Sequence, residues 1–179
     1  LQRHALKRFA DQGFEATKLA HIAADAGIKP PSIYAHFKSK EELYMSLLRP
    51  AVEHELAITR EALLGAGRQT LYEFLRGTGE RFEATEELRF LVRASYLPPA
   101  GLVAQTDRYI SPFCARQGDI ILECIGMLPP GRLPPDVLTT AFQGLIDSLQ
   151  TAILYMGKAE FEKRLDALWA VFTLGLGEM

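Results

Sequence analysis

The segment TKLAHIAADAGIKPPSIYAHFKSKEEL, from Thr17 to Leu43, decides the fold of this chain. Its first half carries apolar residues at helical spacing, which predicts a short amphipathic helix with Thr17 as its N-cap. Gly27 follows the last of these residues, where helices commonly end in a left-handed residue. Pro30 and Pro31 suit the first turn of a second helix, where a missing N–H costs little. The segment therefore predicts two short helices joined by a glycine turn.

The second helix of this pair, which we expect to run through Phe37, has an apolar and a polar side. Ile33 and Phe37 are four residues apart, so both point inward when the segment is helical. Ser39 then begins a longer helix, and Glu42 is placed to complete a capping box. The donors left on the outer surface are Lys29, Ser32, Tyr34, His36, Lys38 and Lys40.

Two short helices joined by a glycine turn form a helix-turn-helix unit, whose second helix can lie in a DNA major groove. An ordinary corner of a helical bundle is the alternative, but no acidic residue interrupts the donors between Lys29 and Lys40. Phosphates and base edges attract different side chains, so we divide the expected contacts accordingly. The expected phosphate contacts are Thr17, Lys18, Tyr34, His36, Lys38 and Lys40. The residues expected nearest to base edges are Lys29, Pro31 and Ser32.

Within this segment, IAADAG followed by SIYAHFKSKEEL resembles the DNA-binding signature of the TetR family of bacterial repressors. The resemblance runs from about Phe9 through Leu47. It rests on the spacing of Gly27, Ile33, Tyr34, Phe37, Lys40 and Leu43. It implies an all-helical homodimeric repressor whose second domain binds a small molecule and then releases DNA. Lys29 and Ala20 depart from the family's usual small capping residue and long polar residue, so the operator sequence does not follow from the resemblance.

The composition and charge of the chain suit a folded protein that touches DNA at one end. Its 179 residues are 48% hydrophobic, which is enough for a packed core and excludes a disordered chain. The net charge is −2, but residues 1–49 carry eight Lys or Arg and five Asp or Glu, a net +3, which leaves −5 for the remainder. Chance is the alternative explanation of this asymmetry, because the excess is modest.

We expect a cytoplasmic protein, because no apolar run approaches the length of a membrane span. The chain begins at Leu1, inside an expected helix, so we also expect that residues precede it.

Neither the cysteines nor the histidines indicate catalysis or metal binding. Cys114 and Cys124 would lie about 15 Å apart along one helix, too far for a disulfide. They are expected to be core residues, with a redox-sensing thiol as the alternative. His21 and Asp25 have the spacing of a dyad on one helix, but a solvated surface pair is the favoured interpretation. The chain has no glycine-rich phosphate loop, HExxH or GxSxG motif, so we expect no enzyme, metal or cofactor.

The rest of the chain predicts helices throughout, about nine in all, with no strand. After the three N-terminal helices, the predicted spans are 39–64, 70–84, 86–97, 103–128, 136–156 and 159–174. The predicted fold is all-α, with a three-helix helix-turn-helix DNA-binding domain (1–46) and a larger helical ligand-binding and dimerisation domain (47–179). Pro50 predicts a kink or restart of the fourth helix near Arg49, either as a hinge or as a static bend.

The last two predicted helices carry too many apolar residues to be covered on one side only. We expect them to meet their copies in a four-helix interface about a two-fold axis. A buried hairpin of a monomer is the alternative. The expected interface residues are Leu138, Ala141, Leu145, Ser148, Leu149, Ala152, Leu165, Leu168, Trp169 and Phe172.

The effector site is expected among the large side chains of the helices between residues 70 and 156. A supply of aromatic and sulfur side chains next to glycines favours an apolar cavity and a small hydrophobic or aromatic effector. Each of these residues taken alone is more often plain core. The candidates are Phe74, Phe82, Phe90, Tyr109, Phe113, Cys114, Met127 and Phe142, with Arg93 and Tyr96 as polar anchors.

The sequence thus predicts a ligand-responsive repressor that binds a palindromic DNA operator as a homodimer. The alternative is a helical small-molecule-binding or interaction module without operator-specific DNA binding.

Overall fold

The computed structural model describes residues 1–65 and 67–177, and its regular structure is helical throughout these residues. The α-helices of this part of the chain are α1 (Gln2–Ala16), α2 (Leu19–Asp25), α3 (Pro30–Tyr34), α4 (Lys40–Leu63), α5 (Arg68–Ala84), α6 (Glu86–Tyr96), α7 (Val103–Gly126), α8 (Pro135–Tyr155) and α9 (Lys158–Leu176). A 3-10 turn at Ala100–Leu102 precedes α7. The predicted all-α fold is confirmed, and most helix ends lie within about two residues of the predicted ones. None of the described helices is both long enough and apolar enough to span a bilayer.

The chain divides into two compact units. The first comprises Leu1–Glu55 and Thr85–Pro112, and the second comprises Leu56–Ala84 with the chain from Phe113 onward. The first unit holds the whole predicted DNA-binding domain, but it also holds α6 and the beginning of α7. The functional boundary between residues 46 and 47 stays a prediction. The compact units differ from the predicted domains, because the first unit extends to Glu55 and also includes Thr85–Pro112.

The first unit is built on an aromatic core to which α6 contributes. Phe9 of α1, Tyr44 of α4 and Phe90 of α6 are all buried. The ring centroids of Phe9 and Tyr44 are 5.2 Å apart, and those of Tyr44 and Phe90 are 5.0 Å apart. Burial raises the pKa of Tyr44. Ile22 and Ile33 enter the same core from α2 and α3, while α6 packs mainly against α1.

Two glycines with positive φ set the course of the chain around the motif. Gly13 (φ 77°, ψ 176°) interrupts α1, close to where the first helix was predicted to end. Gly27 (φ 66°) lies in the turn between α2 and α3, as predicted. The prediction that Thr17 is the N-cap of α2 is wrong, because Lys18 holds that position without a side-chain bond. The Thr17 hydroxyl instead donates to the Gly13 carbonyl oxygen at 2.7 Å.

The start of α4 forms a variant of the predicted capping box. The Ser39 hydroxyl accepts from the Glu42 N–H at 3.2 Å, as expected. The Glu42 carboxylate accepts from the backbone N–H of Lys38, one residue further back than in the usual box. The helix then runs without a break from Lys40 to Leu63, so the predicted restart near Arg49 is wrong. Pro50 is tolerated on the exposed side of the continuous helix.

The second unit has its own aromatic core. The Phe142 ring of α8 is fully buried, 6.3 Å from Phe74 and 5.5 Å from Phe172. Gly79 permits the close approach of α5 and α9, because a Cβ built there would lie 2.6 Å from a ring carbon of Phe161. These contacts show which of the predicted effector-site and dimer residues belong to the core of the second unit, as described below.

Candidate nucleic-acid interface

The short helix α3 presents one polar side to solvent. Ile33 is completely buried and anchors the helix, whereas the Tyr34 beside it is 58% exposed. Pro30 occupies the first turn and Lys29 the N-cap position, as the sequence suggested. The predicted DNA contacts that lie exposed on α3 or next to it are Lys18, Lys29, Pro31, Ser32, Tyr34, His36 and Lys38.

Two predicted phosphate contacts, Thr17 and Lys40, are engaged elsewhere. The Lys40 ammonium donates to the carbonyl oxygens of Phe14 at 2.8 Å and Thr17 at 3.1 Å, and it stands 4.0 Å from the Phe14 ring centroid. The Thr17 side chain is 1% exposed and donates to the backbone. Both side chains hold the connection between α1 and α2 in this structure, and their contact with a phosphate stays a prediction. Sequence spacing identified the positions but not the direction in which the side chains turn.

An ion pair balances the acidic charge of α2 and joins this helix to α1. Arg8 of α1 binds Asp25 through two hydrogen bonds, at 2.5 and 2.9 Å. The guanidinium lowers the pKa of the Asp25 carboxyl below its ordinary value of 3.8. Asp25 therefore serves to tie α2 to α1, and its partner is Arg8 rather than the His21 of the supposed dyad. The cations around α3 are left without a neighbouring acid on that helix.

The residues that form this surface also match a protein-family model. Residues 3–47 match the family model of the bacterial regulatory proteins, tetR family. This match covers the helix-turn-helix part of the chain and shows a likeness to that family there. The resemblance that was evident in the sequence is thereby confirmed over about a quarter of the chain.

Curated relatives that match a short stretch of this chain are HTH-type transcriptional regulators. A stretch of 55 residues is 40% identical to the HTH-type transcriptional activator FasR of Mycolicibacterium smegmatis, covering 31% of this chain and 25% of that protein. A stretch of 45 residues is 49% identical to the HTH-type transcriptional repressor KstR2 of the same organism, covering 25% of this chain and 22% of that protein. The match thus spans about a quarter of each relative's length.

Solved TetR-family structures share the fold over nearly the whole chain. A regulator from Mesorhizobium loti aligns with a TM-score of 0.71 at 21% identity, covering 99% of this chain and 95% of that one. FadR of Bacillus subtilis in complex with stearoyl-CoA aligns with a TM-score of 0.69 at 17% identity, covering 97% and 96%. AibR in complex with isovaleryl coenzyme A and operator DNA aligns with a TM-score of 0.65 at 17% identity, covering 97% and 98%. At these identities the likeness concerns the TetR fold alone.

The predicted effector residues do not gather in one place. Phe90 lies in the core of the first unit, and Arg93 donates to backbone carbonyls of α1. Cys114 and Met127 are exposed, the latter by 55%, so neither is a core residue of its unit. Phe74 and Phe142 pack together inside the second unit, where Phe113 is also buried. The other aromatic candidates, Phe82, Tyr96 and Tyr109, are half-buried.

Three pockets in the described residues are lined by other side chains, whereas a fourth, of only about 40 Å³, includes the predicted Met127. A pocket of about 540 Å³ lies among charged residues of α1, α2 and α6. Others of about 320 and 440 Å³ lie between α5 and α9 and beside the loop before α8. None of the predicted effector residues lines these three, so the effector site stays a prediction. Helical spacing cannot tell a cavity wall from a core residue, because both are apolar and inward.

The two cysteines have different surroundings. Cys124 is buried, and burial raises the pKa of its thiol, whereas Cys114 is exposed; no disulfide joins them. The prediction of a core position is confirmed for Cys124 and wrong for Cys114.

Most predicted dimer residues cover the core of their own unit. This subset, all buried, is Leu138, Leu145, Leu149, Ala152, Leu165 and Phe172. Trp169 is half-buried and packs against Tyr72 and Phe172, and Leu168 is also half-buried. Ala141, Gly144, Ser148 and Ala152 form a row of small residues on α8 at spacings of three or four. Ala141 and Gly144 of this row are exposed, Ser148 is half-buried and Ala152 is buried. A Cβ built on Gly144 meets nothing within 4 Å.

Other apolar residues of α8 and α9 are exposed, on sides of these helices that differ from the buried sides of the predicted interface residues. On α8 they include Val137 and Tyr155, exposed by 44% and 58%; on α9 they include Val171 and Leu174, exposed by 67% and 64%. Sequence reasoning missed these four residues because it selected the most apolar side of each helix, which packs inside the subunit. The small residues Ala141, Gly144 and Ser148 were the signal that marked the outward side.

Proposed function

We propose that this chain is a ligand-responsive transcriptional repressor that binds a palindromic operator as a homodimer in the cytoplasm. The observation that carries the proposal is the exposed polar side of α3, anchored by the buried Ile33 within a TetR-family segment. A helix held in this way can enter a major groove without exposing its own apolar residues.

The expected contacts fall into two classes. Lys18, Tyr34, His36 and Lys38 are all exposed around the motif, and they supply charge or hydrogen bonds to phosphates. At the front of α3, Lys29, Pro31 and Ser32 form the second class, which faces base edges. A lysine there donates to guanine acceptors, and a proline contacts the methyl group of thymine.

Dimerisation is supported by the exposed apolar residues of α8 and α9. Val171 and Leu174 of α9 are more than half exposed in the single chain. On α8, a Cβ built on Gly144 meets nothing within 4 Å, which leaves room for close helix approach. Two copies related by a two-fold axis cover these residues on both subunits with the same contact. The paired α3 helices then reach half-sites about 34–36 Å apart.

For the effector, we propose a small hydrophobic or aromatic ligand. Acyl-CoA thioesters, whose coenzyme A part is strongly charged, are the contrasting class in the test. The second unit supplies the remaining aromatic candidates, Phe74, Phe113 and Phe142. The solved structures of FadR and AibR, which share the fold, contain stearoyl-CoA and isovaleryl coenzyme A, respectively. Their identity to this chain is low, so they support the choice of test and no more.

The test is selection of bound sequences from random DNA, followed by release with candidate effectors. The proposal expects an enriched palindrome and its release by an apolar ligand rather than by strongly charged small molecules. Absence of any enriched sequence favours the alternative, a helical binding or interaction module. An enriched site that effectors strengthen would contradict release of DNA by the effector.

A further inference from the structure

Cationic side chains of α4 and α6 donate hydrogen bonds to backbone carbonyl oxygens at the connection between α1 and α2. Arg93 of α6 donates through Nε to the carbonyl oxygen of Ala10 at 2.6 Å and through a terminal nitrogen to that of Asp11 at 3.3 Å. Lys40 of α4 holds the following carbonyls, those of Phe14 and Thr17. The backbone from residue 10 to residue 17 is therefore fixed at both ends by side chains that donate from outside it.

The local structure explains why cations are needed there. Gly13 leaves the helical conformation, so the carbonyls just before it lose their partners in the next turn. A helix also carries partial negative charge at its C-terminal end, which favours a guanidinium or ammonium. Arg89, one turn before Arg93 on α6, adds an ion pair to the Asp11 carboxylate at 3.2 Å. Hydrogen bonds from a charged donor are stronger than neutral ones, so α6 defines where α1 ends.

The end of α1 in turn sets the beginning of α2. The hydroxyl of Thr17 donates to the carbonyl oxygen of Gly13, which joins the two ends of the connection. Lys18 comes next, exposed, and its carbonyl oxygen accepts from the N–H groups of His21 and Ile22 in the first turn of α2. Lys18 therefore follows directly on Thr17, whose carbonyl oxygen Lys40 holds.

We infer that Arg93 is a positioning residue for DNA binding. It fixes the α1–α2 connection so that Lys18 and the front of α2 meet a backbone phosphate of the operator. Arg93 acts through Lys18 and touches no DNA itself. The inference rests on the proposed function, because Lys18 contacts a phosphate only if the chain binds DNA. The positioning role replaces the earlier prediction that Arg93 anchors an effector.

A double-mutant cycle distinguishes positioning from simple stabilisation, because residues that act through one another are not additive. Arg93→Met keeps an apolar stem and removes the donors, and Arg93→Lys keeps the charge. Each is made in the unaltered chain and in Lys18→Ala, and affinity for one selected operator is measured by fluorescence anisotropy. Arg108→Met, an exposed arginine of the same unit, is the control for charge removal. Denaturant unfolding of every variant gives the folded fraction by which affinity is corrected.

The expected result is a loss of about tenfold for Arg93→Met in the unaltered chain and less than about twofold in Lys18→Ala. Arg93→Lys should recover most of the affinity, and Arg108→Met should change it little. Equal losses in both backgrounds, or no loss at full folded fraction, would overturn the inference. If Arg93→Met does not fold, Arg93→Gln, which removes the charge, carries the same cycle, and Arg93→Lys stays the conservative control.

Failure of the proposed function has a different signature. The unaltered chain would then show no selected operator at all, whereas failure of the positioning role leaves operator binding intact and the cycle additive.

Discussion

The Nζ atom of Lys40 lies 2.8 Å from the carbonyl oxygen of Phe14 and 4.0 Å from the centroid of the same residue's ring. One residue thus holds the ammonium through both its backbone and its side chain. The consequence is that Lys40 joins α4 to the α1–α2 connection, which Arg93 holds from α6.

Lys40→Met should destabilise the chain, because it leaves the carbonyls of Phe14 and Thr17 without their charged donor. Loss of hydrogen bonds from a charged group lowers the free energy of unfolding by about 1.5–3 kcal/mol. Urea unfolding measures it, with Lys38→Met, an exposed neighbour, as the control. Equal stability of the two variants would contradict the structural role of Lys40.

Lys29→Ala and Lys38→Ala should separate base recognition from phosphate binding. Lys38→Ala should weaken binding to all sequences alike and reduce the slope of log affinity against log salt by about 1. Lys29→Ala should relax preference at one or two positions, by about 1–3 kcal/mol each. Binding of each variant to a panel of operators with single base changes is the measurement. The division fails if both variants lose preference at the same positions.

The Arg8–Asp25 pair should make stability depend on acid. The folded-state pKa of Asp25 lies below its ordinary value of 3.8, so the carboxylate stabilises the fold above that pH. This contribution is lost as the pH falls through the folded-state pKa. Asp25→Asn should therefore lower the free energy of unfolding at neutral pH and flatten its decline below about pH 4. Asp119→Asn, an exposed acid of α7, is the control; identical pH curves for the two would refute the pair's role.

Val171→Arg should break the dimer without unfolding the subunit. The side chain is 67% exposed in the single chain, so a charge there costs little until a partner buries it. Val103→Arg replaces a valine that is 51% exposed on α7 and is the matched control. Analytical ultracentrifugation should show monomers for Val171→Arg and dimers for Val103→Arg. If the first variant dimerises as tightly as the unaltered chain, the interface lies elsewhere.

Gly79→Ala should destabilise the second unit. Its new methyl group would lie 2.6 Å from the Phe161 ring, and overpacking of this kind costs about 1–3 kcal/mol. Gly144→Ala provides the contrast, because nothing lies within 4 Å of its Cβ and alanine favours helix. Thermal unfolding compares them, and a Gly79→Ala variant as stable as Gly144→Ala would contradict the close approach of α5 and α9.

The parts of the fold that follow from local chemistry could be predicted from sequence. The proline at the start of α3, the positive φ of Gly27 and the Ser39 cap are dictated by neighbouring residues. Helical periodicity likewise gave the ends of α5 to α9, because a stop residue or an apolar stripe marks each one.

The assignments that depended on partners distant in sequence could not be made in this way. Phe90 was assigned to an effector cavity and Leu145 to the dimer, yet each fills the core of its own unit. The pattern of an amphipathic helix indicates which of its sides is buried, but not whether the same subunit, a second copy or a ligand covers that side. For the same reason Lys40 and Arg93, whose acceptors are backbone carbonyls of α1, carried no sequence signal of their role.

The most direct test of the central claim is photo-crosslinking from α3 to a selected operator. A photoreactive amino acid at Ser32 should crosslink to bases at two symmetric positions whose centres are separated by about one helical turn. The same group at Glu123, an exposed residue of α7, should give no crosslink. Crosslinks from Glu123 as strong as those from Ser32, or none from Ser32 on DNA that the protein binds, would contradict the account.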